Sequence, residues 1–394
     1  MRESRNAVVV GGGIGGLATA VALRRVGWSV TVLERAAAFE EVGAGISLMS
    51  NALSCLDALG LGGAVREGSR PQLGGGMRTP SGAWLSRLDG AAVEDELGVN
   101  AVVLPRPELL GLLLGALPHE SVITGATPAA LVDDDRGVEV RYARDGHEGT
   151  LRADLVVGAD GLRSWVRAQR WSDAPGPVYD GSTAWRAITT APVATHVEMS
   201  QTWGAAQEFG CLPLADGRVY WYAAASAPEG GRAPDELAEV RARFGAWHAP
   251  IADVLAATDP AAVLRHDVYR LPDLPTFVRG RVVLLGDAAH AMVPNLGQGG
   301  AQAIEDAVVL AAALASTPDL TSALDAYDRQ RRPRSQSIGR AATMISRFGQ
   351  KLRHPVAVAV RNTAMRLTPD RVALSSMARF GRWTPPALPA PGPR

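Results

Sequence analysis

Residues 6–34 read NAVVVGGGIGGLATAVALRRVGWSVTVLE. An apolar run, Ala7 to Val10, has the length and composition of a buried strand. It turns through Gly11, Gly13 and Gly16, a G-x-G-x-x-G pattern, into an apolar helix from about Ile14 to Val26. Gly27 closes that helix, and a second run, Ser29 to Leu33, ends on Glu34. Strand, glycine turn, helix and second strand make a βαβ unit. Gly11 allows the tight turn, Gly13 lets backbone N–H groups approach a pyrophosphate, and Gly16 lets the helix pack against the strand. The helix N-terminus offers unpaired donors and partial positive charge to phosphates. Glu34 stands where an acid accepts bonds from the adenosine ribose. The unit predicts a bound dinucleotide, and by itself does not separate FAD from NAD.

The rest of the composition bounds the answer. A chain of 394 residues with 47% apolar and 20% charged residues suits a globular protein of two domains. The formal net charge is zero, which removes the global electrostatic case for nucleic acid and for acidic membranes. Cys55 and Cys211 share no motif, so neither a disulfide framework nor a metal site is expected, and a reducing cytoplasm fits. Residues 7–23 carry no charge, but five glycines and the βαβ register argue against a membrane span.

Further along, 42–48 is a run of small residues that lets backbone approach a flat ligand. Residues 72–90 read as a hairpin. Arg106 precedes a leucine-rich helix and could reach a phosphate or serve a surface ion pair. Residues 121–157 alternate as an antiparallel meander and end in Gly158-Ala159-Asp160-Gly161. From Tyr179 to about Arg265 the composition turns aromatic, with Trp185, Trp203, Tyr220, Trp221, Tyr222 and Trp247, and strand-like runs at 183–190, 200–211 and 217–225. Such clusters cover apolar ligands as well as filling cores. The nucleotide half resumes at Arg281 with a buried strand, then Gly286-Asp287-Ala288-Ala289-His290, the loop 294–300 and a helix from about Ala301 to Leu314. His290 reads as a structural hydrogen-bonding group more readily than as a base.

Taken in order, Gly11–Gly16 with Glu34, Asp160-Gly161, and Gly286-Asp287 with Pro294 and Gly297-Gln298-Gly299-Gly300 resemble the FAD-dependent single-component aromatic-ring hydroxylases, the p-hydroxybenzoate hydroxylase-like flavin monooxygenases. Tyr179-Asp180-Gly181 with Trp185-Arg186 looks like that family's entry to its substrate sheet. The resemblance covers roughly residues 5 to 340. It is nearest the branch with salicylate, 3-hydroxybenzoate, 6-hydroxynicotinate and urate hydroxylases.

The resemblance implies an α/β fold: a Rossmann-like, glutathione-reductase-like FAD-binding domain, an inserted and mostly antiparallel substrate sheet, and C-terminal helices. It divides the chain into 1–71, 97–178 and 266–335 for FAD, 72–96 with 179–265 for substrate, helices over 336–383, and a disordered tail over 384–394. It assigns Gly11, Gly13, Ile14, Gly16, Glu34, Arg35, Gly45, Ile46, Arg106, Asp160, Asp287, Gly297, Gly299 and Gly300 to FAD. Tyr220 and Pro294 are the catalytic candidates, and Arg186, Gln207, Tyr220 and Pro294 the substrate contacts. The implied reaction uses NADH or NADPH to reduce FAD, adds O2 as a C4a-hydroperoxide and delivers one oxygen atom to an aromatic or polyketide-like molecule. A flavin reductase or dehydrogenase on the same fold is the alternative, and a flavin-bound scaffold a third. Oligomeric state is open, a homodimer included.

Two departures stand out. An arginine is expected just before the Leu-Pro of the substrate sheet in the urate branch, and this chain has Glu208-Phe209-Gly210-Cys211-Leu212-Pro213. That disfavours urate and small aromatic acids and favours a larger neutral substrate. From Arg329 to Arg394 there are fourteen Arg or Lys and one acid, Asp370. Helices covering the core would explain them, as would contact with a membrane surface, an acidic carrier protein or a partner subunit. The pattern disfavours membrane insertion.

Overall fold

A computed structural model describes residues 5–39 and 44–389. The strand Asn6–Val10 is the centre of a six-stranded sheet, in the order 278–279, 282–284, 155–158, 6–10, 29–33 and 122–123. Its pairings are parallel except at the 278–279 edge. Val8, Val9 and Val10 are buried, as near-continuous apolar strands must be when helices cover both faces. The helices Ile14–Arg25 and Gly299–Ser316 pack together beside it. Small residues make that approach possible: a Cβ on Gly15 would lie 2.9 Å from Leu285 and 3.1 Å from Ala303.

The aromatic stretch forms a seven-stranded sheet, in the order 264–270, 178–188, 219–226, 207–213, 199–203, 74–78 and 84–89. Only the 199–203 and 74–78 pairing is parallel. Phe209, Cys211, Trp221 and Ala223 face the helices Glu236–Phe244 and Ile251–Ala256. Leu212, Tyr220 and Tyr222 alternate to the other face and meet Ala44 and Val103 of the nucleotide half.

Several expectations need correction. The meander contains only 127–134, 137–144 and 147–153; Val122–Ile123 and Leu155–Gly158 belong to the parallel sheet. The chain changes sheets at Asp154, whose side chain accepts from the N–H of Asn6. The run 200–211 is two strands joined at Gly204, where Ala206 has φ 56°. Strand Leu264–Arg270 crosses the expected division at 265/266, and helix Leu320–Ile345 crosses that at 335/336, continuing through Pro333. Residues 384–389 were expected in a disordered tail, yet Leu388 packs on the main core with Trp383. The last five residues, and Val42 and Gly43 of the small-residue run, lie outside the described residues.

Candidate active site

The glycine turn is fixed by backbone contacts that admit no side chain. Gly11 has φ 108°, and a Cβ there would lie 2.4 Å from the carbonyl oxygen of Ala159. A Cβ on Gly16 would fall 1.9 Å from the Gly11 oxygen. Gly13, by contrast, has open space beside it, at the N-cap of a helix with no side-chain cap. Ile14 is buried behind it. Glu34 accepts from Gly12 N–H at 2.6 Å and Ala36 N–H at 2.7 Å. Each of its oxygens keeps a further acceptor site for a hydroxyl. Arg35 is exposed beside it.

A second cluster gathers at the end of strand Val282–Leu284. Gly286 adopts φ 57°, and Asp287 then presents an exposed carboxylate with no partner among the described residues. Asp160 is committed differently: it accepts from Ser164 Oγ and from Val166 N–H, capping the helix Trp165–Arg170. Arg167 of that helix donates to the carbonyls of Ala288 and Leu162, tying the two segments together. Arg106 is exposed at the first turn of Arg106–Gly115, its N–H bonded to the Ala44 carbonyl. Pro294 opens a short 3₁₀ turn, and its carbonyl accepts from Gly297 N–H. It has no ionisable group, so its contribution is to shape the turn. Gly297 takes φ 62°, and both Gly297 and Gly299 face open space. Ile46 lies across Gly300. Here begins an 18-residue helix whose first N–H groups have no side-chain cap.

Behind this turn the helix is anchored by buried charge. Asp306 accepts from His290 Nε2 at 2.6 Å, Gly286 N–H at 2.9 Å and Arg331 Nε at 2.7 Å. Glu305 accepts from Asn51, Gln302, Arg331 and Arg334. Burial alone would raise both carboxyls; for Asp306 His290 and Arg331, and for Glu305 the two arginines, hold them below their ordinary values. His290 is thereby structural. This network was missed in the sequence, although two adjacent acids inside an otherwise apolar helix were a signal that cations must meet them.

The second sheet turns the face carrying Tyr220 toward the nucleotide half. Its ring lies on Gly45, where a Cβ would come within 2.4 Å. Tyr222 follows 6.3 Å away, over Gly210. Arg186 pairs in register with Tyr222, sharing this face, and makes no hydrogen bond or ion pair among the described residues. Gln207 does not share it: with Phe209 and Cys211 it belongs to the opposite face, and the neighbouring Glu208 stands on the Tyr222 side instead.

Glu208 is buried. Its Oε2 accepts from Gln201 Nε2 at 3.0 Å and Trp203 Nε1 at 3.1 Å, while Oε1 has no partner among the described residues. Burial pushes its carboxyl up to about 7, against the pull of those two bonds. Burial likewise raises both tyrosine hydroxyls, neither of which has a hydrogen bond among the described residues. Trp203 is backed by the C-terminal segment. Gly349 sits against its ring, and Arg361, 5.3 Å from the ring centre, donates to the Gly349 carbonyl at 2.6 Å.

A strip of this sheet face thus runs from Tyr220, on Gly45, past Tyr222, over Gly210, to Glu208. The model of the FAD binding domain family matches residues 5–342. The chain belongs to that family. It is 39% identical to an aurachin C monooxygenase/isomerase of Stigmatella aurantiaca, over 94% of this chain and 97% of that protein. It is 32% identical to the 2-heptyl-3-hydroxy-4(1H)-quinolone synthase of Pseudomonas aeruginosa, over 92% and 94%. Among solved structures, Klebsiella pneumoniae HpxO complexed with FAD and uric acid superposes with a TM-score of 0.89 at 27% identity, each chain covered to 98%. The protein is accordingly an FAD-dependent monooxygenase, built from a nucleotide domain and a substrate sheet. No helix among the described residues is long and apolar enough to cross a membrane.

Proposed function

We propose that this monooxygenase oxidises a flat, neutral heteroaromatic molecule bearing a ring N–H and an apolar substituent, with 4-quinolones as the leading class. The observation that carries the reading is Glu208: a buried carboxyl with an unpartnered oxygen, at the end of a strip otherwise lined by Leu212, Tyr220 and Tyr222. Ionised, above about pH 7, it repels an anionic aromatic acid and accepts from an N–H. The Pseudomonas aeruginosa relative, named for a quinolone product, supports the same class.

The residues present fit FAD. Open space beside Gly13, Gly297 and Gly299, and the free Asp287 carboxylate, leave donors and an acceptor where a dinucleotide needs them. Gly11, Gly13, Ile14 and Gly16 would cradle the pyrophosphate with Arg106 near it, and Glu34 and Arg35 the adenosine end. Gly45, Ile46 and Gly297–Gly300 would border the ring system, and Asp160 and Asp287 its linking chain. Bound FAD, reduced by NADH or NADPH, supplies the oxygen activation.

The chain's own residues then orient and protect. The Gly299–Ser316 helix turns its positive end toward the strip, where it favours negative charge. Tyr220 packs over the substrate's ring and offers a hydroxyl to its oxygen. Glu208 accepts the ring N–H, raising electron density in the ring to be oxidised, and Arg186 stands on the same face two strands away, beside Tyr222. Trp203 and Gly349 close the far end against water.

The test is aerobic NADH and NADPH consumption by the FAD-loaded protein, with product mass read in parallel. The panel holds 2-alkyl-4-quinolones, their N-methyl analogues, neutral phenols and benzoates. A 4-quinolone with a free N–H should speed consumption and gain one oxygen atom; its N-methyl analogue should not, and Glu208→Gln should narrow that gap. Preference for benzoates, or a product that gains hydrogen and no oxygen, would sink the proposal.

A further inference from the structure

The C-terminal helices carry an unusual share of the exposed apolar surface. Met344, Phe348, Val356, Val360, Leu367 and Val372 are 48–76% exposed, while among the other described residues the exposed large apolar side chains are Leu73, Val132 and Val178. On the helix Pro355–Leu367, Val356, Val360 and Leu367 fall within about 40° of one another around the axis. Arg361 lies about 100–140° round the axis from that stripe and is buried against Trp203, so the apolar stripe is held facing outward.

The cations of this region divide into two groups. Arg340 pairs with Asp273, Lys351 with Asp180 and Arg382 with Glu96, and these fasten the segment to the body. Arg347, Arg353, Arg366, Arg371 and Arg379 are exposed and have no hydrogen bond or ion pair among the described residues. Asp370 is the single acid from 329 onward, so nothing local neutralises them.

Exposed apolar side chains among uncompensated arginines match the boundary of an anionic bilayer, where phosphates meet the guanidinium groups and the apolar side chains enter the acyl edge. A two-fold contact with a second copy would set the same cations against each other. We propose that the segment 344–379 seats this enzyme on an anionic lipid surface, without crossing it. This placement stands apart from the substrate assignment and is tested separately.

The experiment is co-sedimentation of the FAD-loaded full chain with vesicles of phosphatidylglycerol and phosphatidylcholine, or of phosphatidylcholine alone. The protein should bind the anionic vesicles at low salt and leave them as salt rises. Val356→Asp with Val360→Asp should cut binding by more than about tenfold, as should Arg353→Gln, Arg366→Gln and Arg371→Gln combined. Both variants should keep their flavin absorbance. Absence of binding, equal binding to neutral vesicles, or retained binding by both flavin-loaded variants would overturn the proposal. So would a dimer in light scattering that Val360→Asp dissociates, which would assign the patch to a second copy.

Discussion

The Glu305–Asp306 pair and Glu208 are all buried carboxyls, yet the protein holds them in opposite ways. The pair receives the guanidinium groups of Arg331 and Arg334 and a bond from His290, and its carboxyls stay below their ordinary values. Glu208 receives two neutral donors on one oxygen, and burial drives it up to about 7. Full satisfaction locks the helix behind the flavin turn to Arg331 and Gly286. Incomplete satisfaction leaves Glu208 Oε1 an open acceptor, the position the proposed substrate N–H would take.

The comparison breaks most visibly at Arg331. Arg331→Leu leaves two buried acids with reduced compensation and should cost about 3–5 kcal/mol, read as a shift in urea midpoint at pH 7. In the native protein, stability from the depressed Asp306 carboxyl is complete above its unfolded value of 3.8 and is lost as pH falls through its lower folded value. The variant should show a shallower acid loss. A midpoint within experimental scatter of the native one would mean the network is not what fixes the helix.

Glu208 should respond in the other direction. Its folded value, about 7, lies above its ordinary 4.5. Below 4.5 it is protonated in both states and costs nothing. Between 4.5 and 7 the folded state keeps a proton that the unfolded chain gives up, so the native protein loses stability progressively, and the loss levels off above 7. Glu208→Gln should therefore be more stable than the native protein at pH 8, by about 3 kcal/mol at most, and equal to it near pH 4. Urea titrations at the two pH values decide it. A difference that does not change with pH would remove Glu208 from the comparison.

The smallest effect expected is at Tyr220, whose hydroxyl also lacks a described partner. Tyr220→Phe should leave stability unchanged and lower kcat/KM by about fivefold, the value of one hydrogen bond near 1 kcal/mol. Unchanged kcat/KM would make Tyr220 a packing residue over Gly45.

Legibility in the sequence follows the same division. The glycine turn, its strands and helix could be read because every element is local, and each glycine answers a steric demand within a few residues or across one strand. The aromatic sheet was visible from its alternation. Its polar detail was not, because the start of strand Gln207–Pro213 was merged into the run 200–211, and a one-residue error in phase turns a side chain to the other face. Hence Gln207 was expected where Glu208 stands. Asp306 and Arg331 are 25 positions apart along the chain, and nothing in the spacing brings them together before the two helices pack.

The family match stops at residue 342, while Gly349 and Arg361, which hold Trp203 in place, come after it. Trp203 is thus held by residues that follow the family match along the chain, in helices that the Klebsiella pneumoniae structure, covering 98% of this chain, still accompanies.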